Sequence, residues 1–340
     1  GKMYAKPCAA LTVAQNGDTI EIDAGTYTGD TCSITANNLV IRGVGGKAVL
    51  DINGTRPSGC KGLWVIGGSD VLIEDVEFSG AHLRPTDPFV VSGMCTADKN
   101  GAGIRWEGGN LTLRRCSLHD NDDGILGGNI AAAALLIEYS EFRNNSFDGF
   151  SHNLYINQIA QLTFRYNYSS RTNADGHLLK SRARKNIILY NRLTGENSTS
   201  SYEINLPNGG ESYVIGNVVQ QGASTGNGAM LDYLSEGLGT GFDNHIYVVN
   251  NTFVSERAGT ATFVQLAAAT STGSLAINNI FFGAGNVTNG GAPAITQMAN
   301  TRSDPMFVNA AMYDYHLKTG SPAIGAGVDP GQVAGVALAP

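Results

Sequence analysis

The sequence predicts an all-β fold, a right-handed parallel β-helix (a solenoid) opened by a short N-terminal cap. Three observations predict it. Apolar, strand-like segments lead into Asn-centred turns at intervals of roughly 25 residues, a period that marks a solenoid. Examples are Phe164-Arg165-Tyr166-Asn167, Ile188-Leu189-Tyr190-Asn191, Val214-Ile215-Gly216-Asn217 and Val248-Val249-Asn250-Asn251. The chain has 44 Gly among 340 residues and only 15% charged residues, which leaves little material for charged helix surfaces. No long run carries the apolar spacing of an amphipathic helix. In such a fold each coil buries its inner side chains only against the coils above and below it. The turn Asn residues can then stack into a hydrogen-bonded ladder. Outward residues of successive coils line up into a long shallow groove, a shape that suits a polymer.

The elements follow in order. A short helix is expected within residues 5–15, then an alternating strand at Asp18-Thr19-Ile20-Glu21-Ile22-Asp23. Together they form a cap over about residues 1–25, covering a first coil whose core would otherwise be open. Strand patterns continue at Leu39–Arg42 and Val71–Glu74. Residues 80–101 break the period with two prolines, a cysteine and several glycines, which predicts a lobe at the groove wall. A second interruption spans about 235–244, and a closing segment occupies about 300–340. Because a solenoid grows in one dimension, residues 1–340 read as one domain. No apolar run is long enough for a membrane span, and no signal peptide is recognised; a chain starting at Gly1 is compatible with one already removed.

Cys8 and Cys32 flank the first strand region, and Cys60 and Cys95 lie in irregular segments beside Gly and Pro. Pairs 8–32 and 60–95 are expected, with Cys116 a buried thiol in an apolar strand pattern. Such pairs favour a secreted or periplasmic protein; free thiols in a reducing compartment are the alternative.

The net charge is −7, yet Arg165, Arg171, Lys180, Arg182, Arg184, Lys185 and Arg192 fall within two coils, where Asp175 is the only acidic residue. A basic patch on an acidic protein points to focused attraction for negative ligand groups; a solvated basic face is the plain alternative. Leu154, Leu179, Ile204 and Leu231 recur at 25, 25 and 27 residues and should stack inside. Alternation then places Tyr155, Lys180, Asn205 and Asp232 outside. Asn153, Leu178, Glu203 and Met230, one position earlier, should also face outward, as should Arg182. A 25-residue register pairs Tyr155 with Lys180, whereas the Asp-Gly turns at 148–149 and 175–176 favour 27, which sets Arg182 beside Tyr155.

Tyr, Lys and Arg on a groove floor suit β-elimination from a uronic acid polymer. A base removes the C5 proton, an acid protonates the departing glycosidic oxygen, and a cation offsets the carboxylate. Arg182 can bind that carboxylate through two hydrogen bonds. Lys180 is the candidate base, its pKa lowered by Arg182 and Arg184, and Tyr155 the candidate acid; the two roles could be exchanged. Solvent-facing charges beside a sugar-stacking Tyr155 are the plain alternative. Substrate-binding candidates are Asn153, His177, Arg184, Glu203, Asn205 and Asp232. His152 and His177 share a column that alternation points inward, a structural place; a groove-edge position would let His177 help bind the carboxylate.

Ser151-His152-Asn153-Leu154-Tyr155-Ile156 and Gly176-His177-Leu178-Leu179-Lys180-Ser181-Arg182-Ala183 resemble secreted bacterial right-handed β-helix proteins of the pectate-lyase-like superfamily, chondroitinase-B and alginate lyases among them. The C-terminal Gly320–Gly327 stretch resembles the closing segment of many such proteins. The resemblance implies a polysaccharide lyase with a Lys or Arg base on the groove floor, often with Ca²⁺ at the substrate carboxylate. No cofactor is assigned here. Ca²⁺ held by Asn153, Glu203, Asn205 and Asp232 is the alternative, with adjacent Lys180 weighing against it. The carboxylates of Glu203 and Asp232 would instead suit an inverting glycoside hydrolase. C5-epimerisation shares the first proton abstraction, and a non-catalytic adhesin or phage-like fibre needs only the groove. Trp64 and Trp106 are expected to fill the core or its turns rather than serve as sugar platforms. Nucleic acid is excluded as a partner by the short patch and acidic chain, and a nucleotide site by the lack of a phosphate-binding loop.

Overall fold

The computed structural model describes residues 3–96, 100–267, 274–289, 295–333 and 336–337. Residues 1–2 of the expected cap, 97–99 of the lobe, and 334–335 and 338–340 of the closing segment lie outside the described residues.

Strand after strand pairs in parallel with its counterpart one coil later, so the chain winds as a parallel β-helix. Among the described residues one sheet has ten strands, running from Cys32–Ile34 through Leu154–Ile156, Lys180–Ser181 and Ile204–Leu206 to Gly285–Thr288. The remaining parallel strands form a nineteen-stranded sheet to which most coils give two strands, such as Ile159–Arg165 followed by Tyr168–Thr172. Among the described residues helix is confined to Pro7–Leu11, Pro88–Val91 and a 3₁₀ turn at Ala310–Met312.

The bend between those two strands explains the Asn repeat. Asn167 donates its backbone N–H and its side-chain amide to Asn191 Oδ1, at 2.9 and 3.2 Å. Asn191 does the same to Asn217, Asn217 to Asn251, Asn251 to Asn279 and Asn279 to Asn300. Each side-chain amide also donates to a backbone carbonyl of the preceding coil, as Asn191 Nδ2 does to Phe164 O at 2.8 Å. The buried polar groups of the bend are thereby satisfied without water. Ahead of Ser140, whose N–H donates to Asn167 Oδ1, and ahead of Asn167 and Asn191 stands a residue in the left-handed region: Tyr139, Tyr166 and Tyr190 at φ 53°, 57° and 53°. Their rings stack at 5.2 and 5.5 Å, compensating a backbone conformation that bulky residues seldom adopt. The next coil must carry Gly216, because a Cβ there would lie 2.4 Å from the Tyr190 ring.

Side chains alternate along the strands, so Phe78, Phe142 and Phe164 are fully buried in one continuous core. Trp64 and Trp106 also have no exposed surface and belong to that core, not to the groove. On the outer face, register aligns a column of alternating charge: Arg114 pairs with Glu74 at 2.9 Å and Glu138 at 2.6 Å, and Glu138 pairs in turn with Arg165 at 2.7 Å.

The cap carries a short helix, Pro7–Leu11, within the expected residues 5–15. Pro7 opens the helix and Thr12 ends it, because the Asn16-Gly17 turn, with Gly17 at φ 87°, redirects the chain into the strand Thr19–Thr28. Disulfides join Cys8 to Cys32 and Cys60 to Cys95, and Cys116 is a buried free thiol. Cys116 sits in the bend between Leu111–Arg114 and Ser117–His119, at the foot of the ladder, where its N–H donates to Ser140 Oγ at 3.1 Å. The lobe at 80–96 is stapled by Cys60–Cys95 and packs through Leu83, Phe89 and Val90. No described helix is long and apolar enough to cross a membrane.

Candidate active site on the groove floor

The ten-stranded sheet builds the site. Its register places Arg105, Leu126, Tyr155, Lys180, Asn205, Asp232 and Gln265 side by side in one column. Neighbours in such a column stand about 4.8 Å apart. Tyr155 therefore faces Lys180 at the 25-residue spacing. Arg182, two residues on and on the same face, reaches back, and its Nη1 donates to Tyr155 Oη at 2.6 Å. Lys180 Nζ lies 5.4 Å from the centre of the Tyr155 ring and the Arg182 guanidinium 5.1 Å. The 25-residue register holds and the 27-residue alternative does not; Arg182 meets Tyr155 through the reach of its side chain.

Glu236, from the interruption at 235–244, closes the constellation. It accepts two hydrogen bonds of 2.7 Å from Arg182 Nη2, one on each oxygen, and lies 3.7 Å from Lys180. Burial of Lys180 lowers its ammonium pKa and Arg182 lowers it further, while Glu236 and Asp232 pull the other way. Asp232 accepts from Asn205 Nδ2 at 2.6 Å, from Gln265 Nε2 at 2.8 Å and from Ser235. Burial raises its pKa against those hydrogen bonds.

His152 and His177 stand beneath the strand starts, 1% and 8% exposed. Their rings are 4.4 Å apart, and His177 donates its backbone N–H to His152 Nδ1 at 3.0 Å. Burial, then the Lys180 charge, pushes the His177 pKa down to about 3, with Asn205 opposing; burial and the neighbouring cations hold His152 well below its usual range. Both imidazoles are neutral near pH 7. His177 thus lies under the groove edge, between the two places the sequence allowed.

Four outward assignments, Asn153, Leu178, Glu203 and Met230, are overturned. Asn153 is fully buried and donates to Ser169 Oγ and to the carbonyls of Ser170 and Arg171, at 3.0–3.2 Å. Glu203 is fully buried, with no hydrogen-bond partner for either carboxyl oxygen among the described residues, and burial raises its pKa well above the usual range. Leu178 and Met230 of the same stack are core residues. The chain enters each of these strands through a bend, where two consecutive side chains turn inward and strict alternation fails. The four oxygen-bearing residues considered for Ca²⁺ therefore do not converge: only Asn205 and Asp232 share the Lys180 column, and both are buried there, at 2% and 0% exposed, instead of open to solvent as expected.

The basic patch also disperses. Arg165 pairs with Glu138, Arg171 with Glu196 and Lys185 with Glu211, while Arg192 donates to Tyr313 O. Arg184 is exposed and lies over the Phe242 ring at 5.6 Å. Lys180 and Arg182 carry the positive charge of the groove floor beside Tyr155. Sequence reasoning missed Glu236, Ser235 and Gln265; the break in period at 235–244 was the available signal for the first two.

Residues 12–219 match the family described as the right handed beta helix region, which is more than half of the chain. The chain belongs to this right-handed β-helix family. By structure it is similar to pectate lyase Pel9A, with a TM-score of 0.56 at 13% identity, covering 98% of this chain and 89% of that one. Weaker similarities are to the Dettilon tailspike protein, with a TM-score of 0.35 at 14% identity over 83% of this chain and 62% of that one. A pectin methylesterase gives 0.33 at 11% identity over 94% and 95%. At these identities the likeness is one of fold. No curated protein sequence matches the chain.

Proposed function

We propose that the protein is a secreted lyase that cleaves a uronic-acid-containing polysaccharide by β-elimination. The observation that carries this reading is the triad of Tyr155, Lys180 and Arg182 on the groove floor, with Lys180 depressed in pKa and Arg182 bonded to the tyrosine. The uronate carboxylate would replace Glu236 on the Arg182 fork, since both present the same two oxygens to it. Unprotonated Lys180 takes the C5 proton, and the C5–H electron pair becomes the C4=C5 double bond as the C4–O bond breaks. Tyr155, oriented by Arg182, gives its proton to the departing oxygen. The products are a new reducing end and an unsaturated uronate. The two disulfides fit an oxidising, extracytoplasmic setting.

The inverting-hydrolase reading needs Glu203 and Asp232 together in the groove, and Glu203 is in the core. The test is incubation with a panel of uronic acid polymers, following the absorbance of the unsaturated product. Lys180→Ala should lower kcat by about 10² or more, the scale of general base catalysis. Solvent deuterium entering C5 with no double bond formed would replace the lyase by an epimerase. Full activity in both Lys180→Ala and Arg182→Ala would remove the mechanism.

A further inference from the structure

A pocket of about 300 Å³ opens where the disulfide-stapled lobe meets the strand starts of the groove sheet. Leu83 and Val90 from the lobe, Phe147 and Phe150 from the loop before Leu154–Ile156, and Asp123 and Asp148 line it. Phe150 is 88% exposed and Phe147 42%, an aromatic surface that nothing in the described fold covers. Phe147 is backed by the Arg84 guanidinium at 4.8 Å. Asp148 shapes this loop, its Oδ1 accepting from the N–H groups of Phe150 and Ser151 at 2.9 and 3.0 Å. Asp122 is spoken for by Arg84 at 3.1 Å and the Leu83 N–H at 2.6 Å.

Asp123 is different. It is only 5% exposed, its Oδ1 accepts one backbone N–H from His152 at 2.9 Å, and no hydrogen bond reaches its other oxygen among the described residues. Burial pushes its pKa up to about 8, so near pH 7 it holds a proton and can both donate and accept. An apolar, aromatic-walled pocket with one convergent buried polar group is the usual form of a small-ligand site. Open aromatic faces suit the C–H faces of a sugar ring, and a protonated carboxyl suits its hydroxyls. The pocket lining holds no Lys or Arg, and the Arg84 guanidinium beside it is already bonded to Asp122, so a carboxylate would find no free counter-charge there.

We infer that this pocket is a subsite for an uncharged sugar unit, occupied alongside the uronate held at Lys180 and Arg182. Asp123 opens its strand three residues before Leu126 of the groove column, and Lys180 lies two coils further on. That puts the subsite roughly 10 Å along the strand direction and roughly 10 Å across it from Lys180. The inference rests on the lyase reading for its second half only, and it narrows the substrate class to polysaccharides that combine acidic and neutral sugars.

The experiment is calorimetric titration with cellotetraose, mannotetraose and galactotetraose, run on the wild type, Phe150→Ala, Asp123→Asn and Lys180→Ala. At least one of these neutral oligosaccharides should bind the wild type, Lys180→Ala and Asp123→Asn alike, since the Asn amide keeps the donor and acceptor of the protonated carboxyl, and bind Phe150→Ala at least ~10-fold more weakly, the scale of a lost stacking contact. Phe150 is exposed, so the thermal melt of Phe150→Ala should match the wild type, and Asp123→Asn, with no proton to lose on unfolding, should be at least as stable near pH 7. Failure of all three sugars to bind, binding indifferent to Phe150→Ala, or binding lost in Asp123→Asn would overturn the subsite. The lyase reading is read separately from product absorbance, so either claim can fall without the other.

Discussion

Lys180 can act as a base only when unprotonated, and the charges around it set where that happens. Burial and Arg182 lower its pKa, while Glu236 raises it. Turnover should therefore rise with pH and level off once the depressed pKa is passed. Arg182→Gln removes a like charge and should move that limb to higher pH. Glu236→Gln removes an attractive charge and should move it to lower pH, and it should also lower KM by freeing the Arg182 fork. Profiles of kcat/KM against pH for the three proteins check this; limbs that coincide would mean that some other group titrates. Tyr155, Lys180 and Arg182 were legible in the sequence because side-chain parity along a strand is local. Glu236 was not, since its approach depends on where a ten-residue interruption folds back, and nothing local encodes that return.

At the scale of the coil, the ladder and the inward bend make opposite contributions. Asn191→Ala would orphan the Asn167 N–H and the Phe164 carbonyl, each buried, at about 1–3 kcal/mol per unsatisfied group. Urea denaturation should show that loss as a lower midpoint. Glu203 works the other way. Its folded pKa is raised, whereas in the unfolded chain it titrates near about 4.3. Below that value the carboxyl is neutral in both states and carries no linkage cost. As pH rises above it, only the unfolded state releases the proton, so stability falls until the raised folded pKa is reached. Thermal melts should show wild type losing stability between pH 4 and 7 more steeply than Glu203→Gln. The repeat itself was plain in the sequence, since each turn Asn must meet the next. The facing of Asn153 and Glu203 was not, because the bend that turns them inward lies in the backbone between two patterns.

Across the molecule, a solenoid is held by nearest-neighbour coils and is weakest at its ends and insertions, where the two disulfides lie. Cys8–Cys32 ties the cap helix to the first coil, and Cys60–Cys95 closes the lobe over the pocket, at sequence separations of 24 and 35. In the chain-entropy account, loops of this length contribute about 3–4 kcal/mol each to stability. Cys116 is instead enclosed at the foot of the Asn ladder, and burial pushes its thiol pKa up to about 11, so the reactive thiolate is scarce as well as inaccessible. Thiol titration should therefore find no fast-reacting group in the native protein and one after unfolding without reductant. Full reduction should expose all five cysteines and lower the unfolding midpoint. A native protein that reacts at once would mean that the ladder end frays around Cys116. Three or more thiols in the unfolded, unreduced chain would mean that a disulfide is open, and the support for an oxidising compartment would go with it.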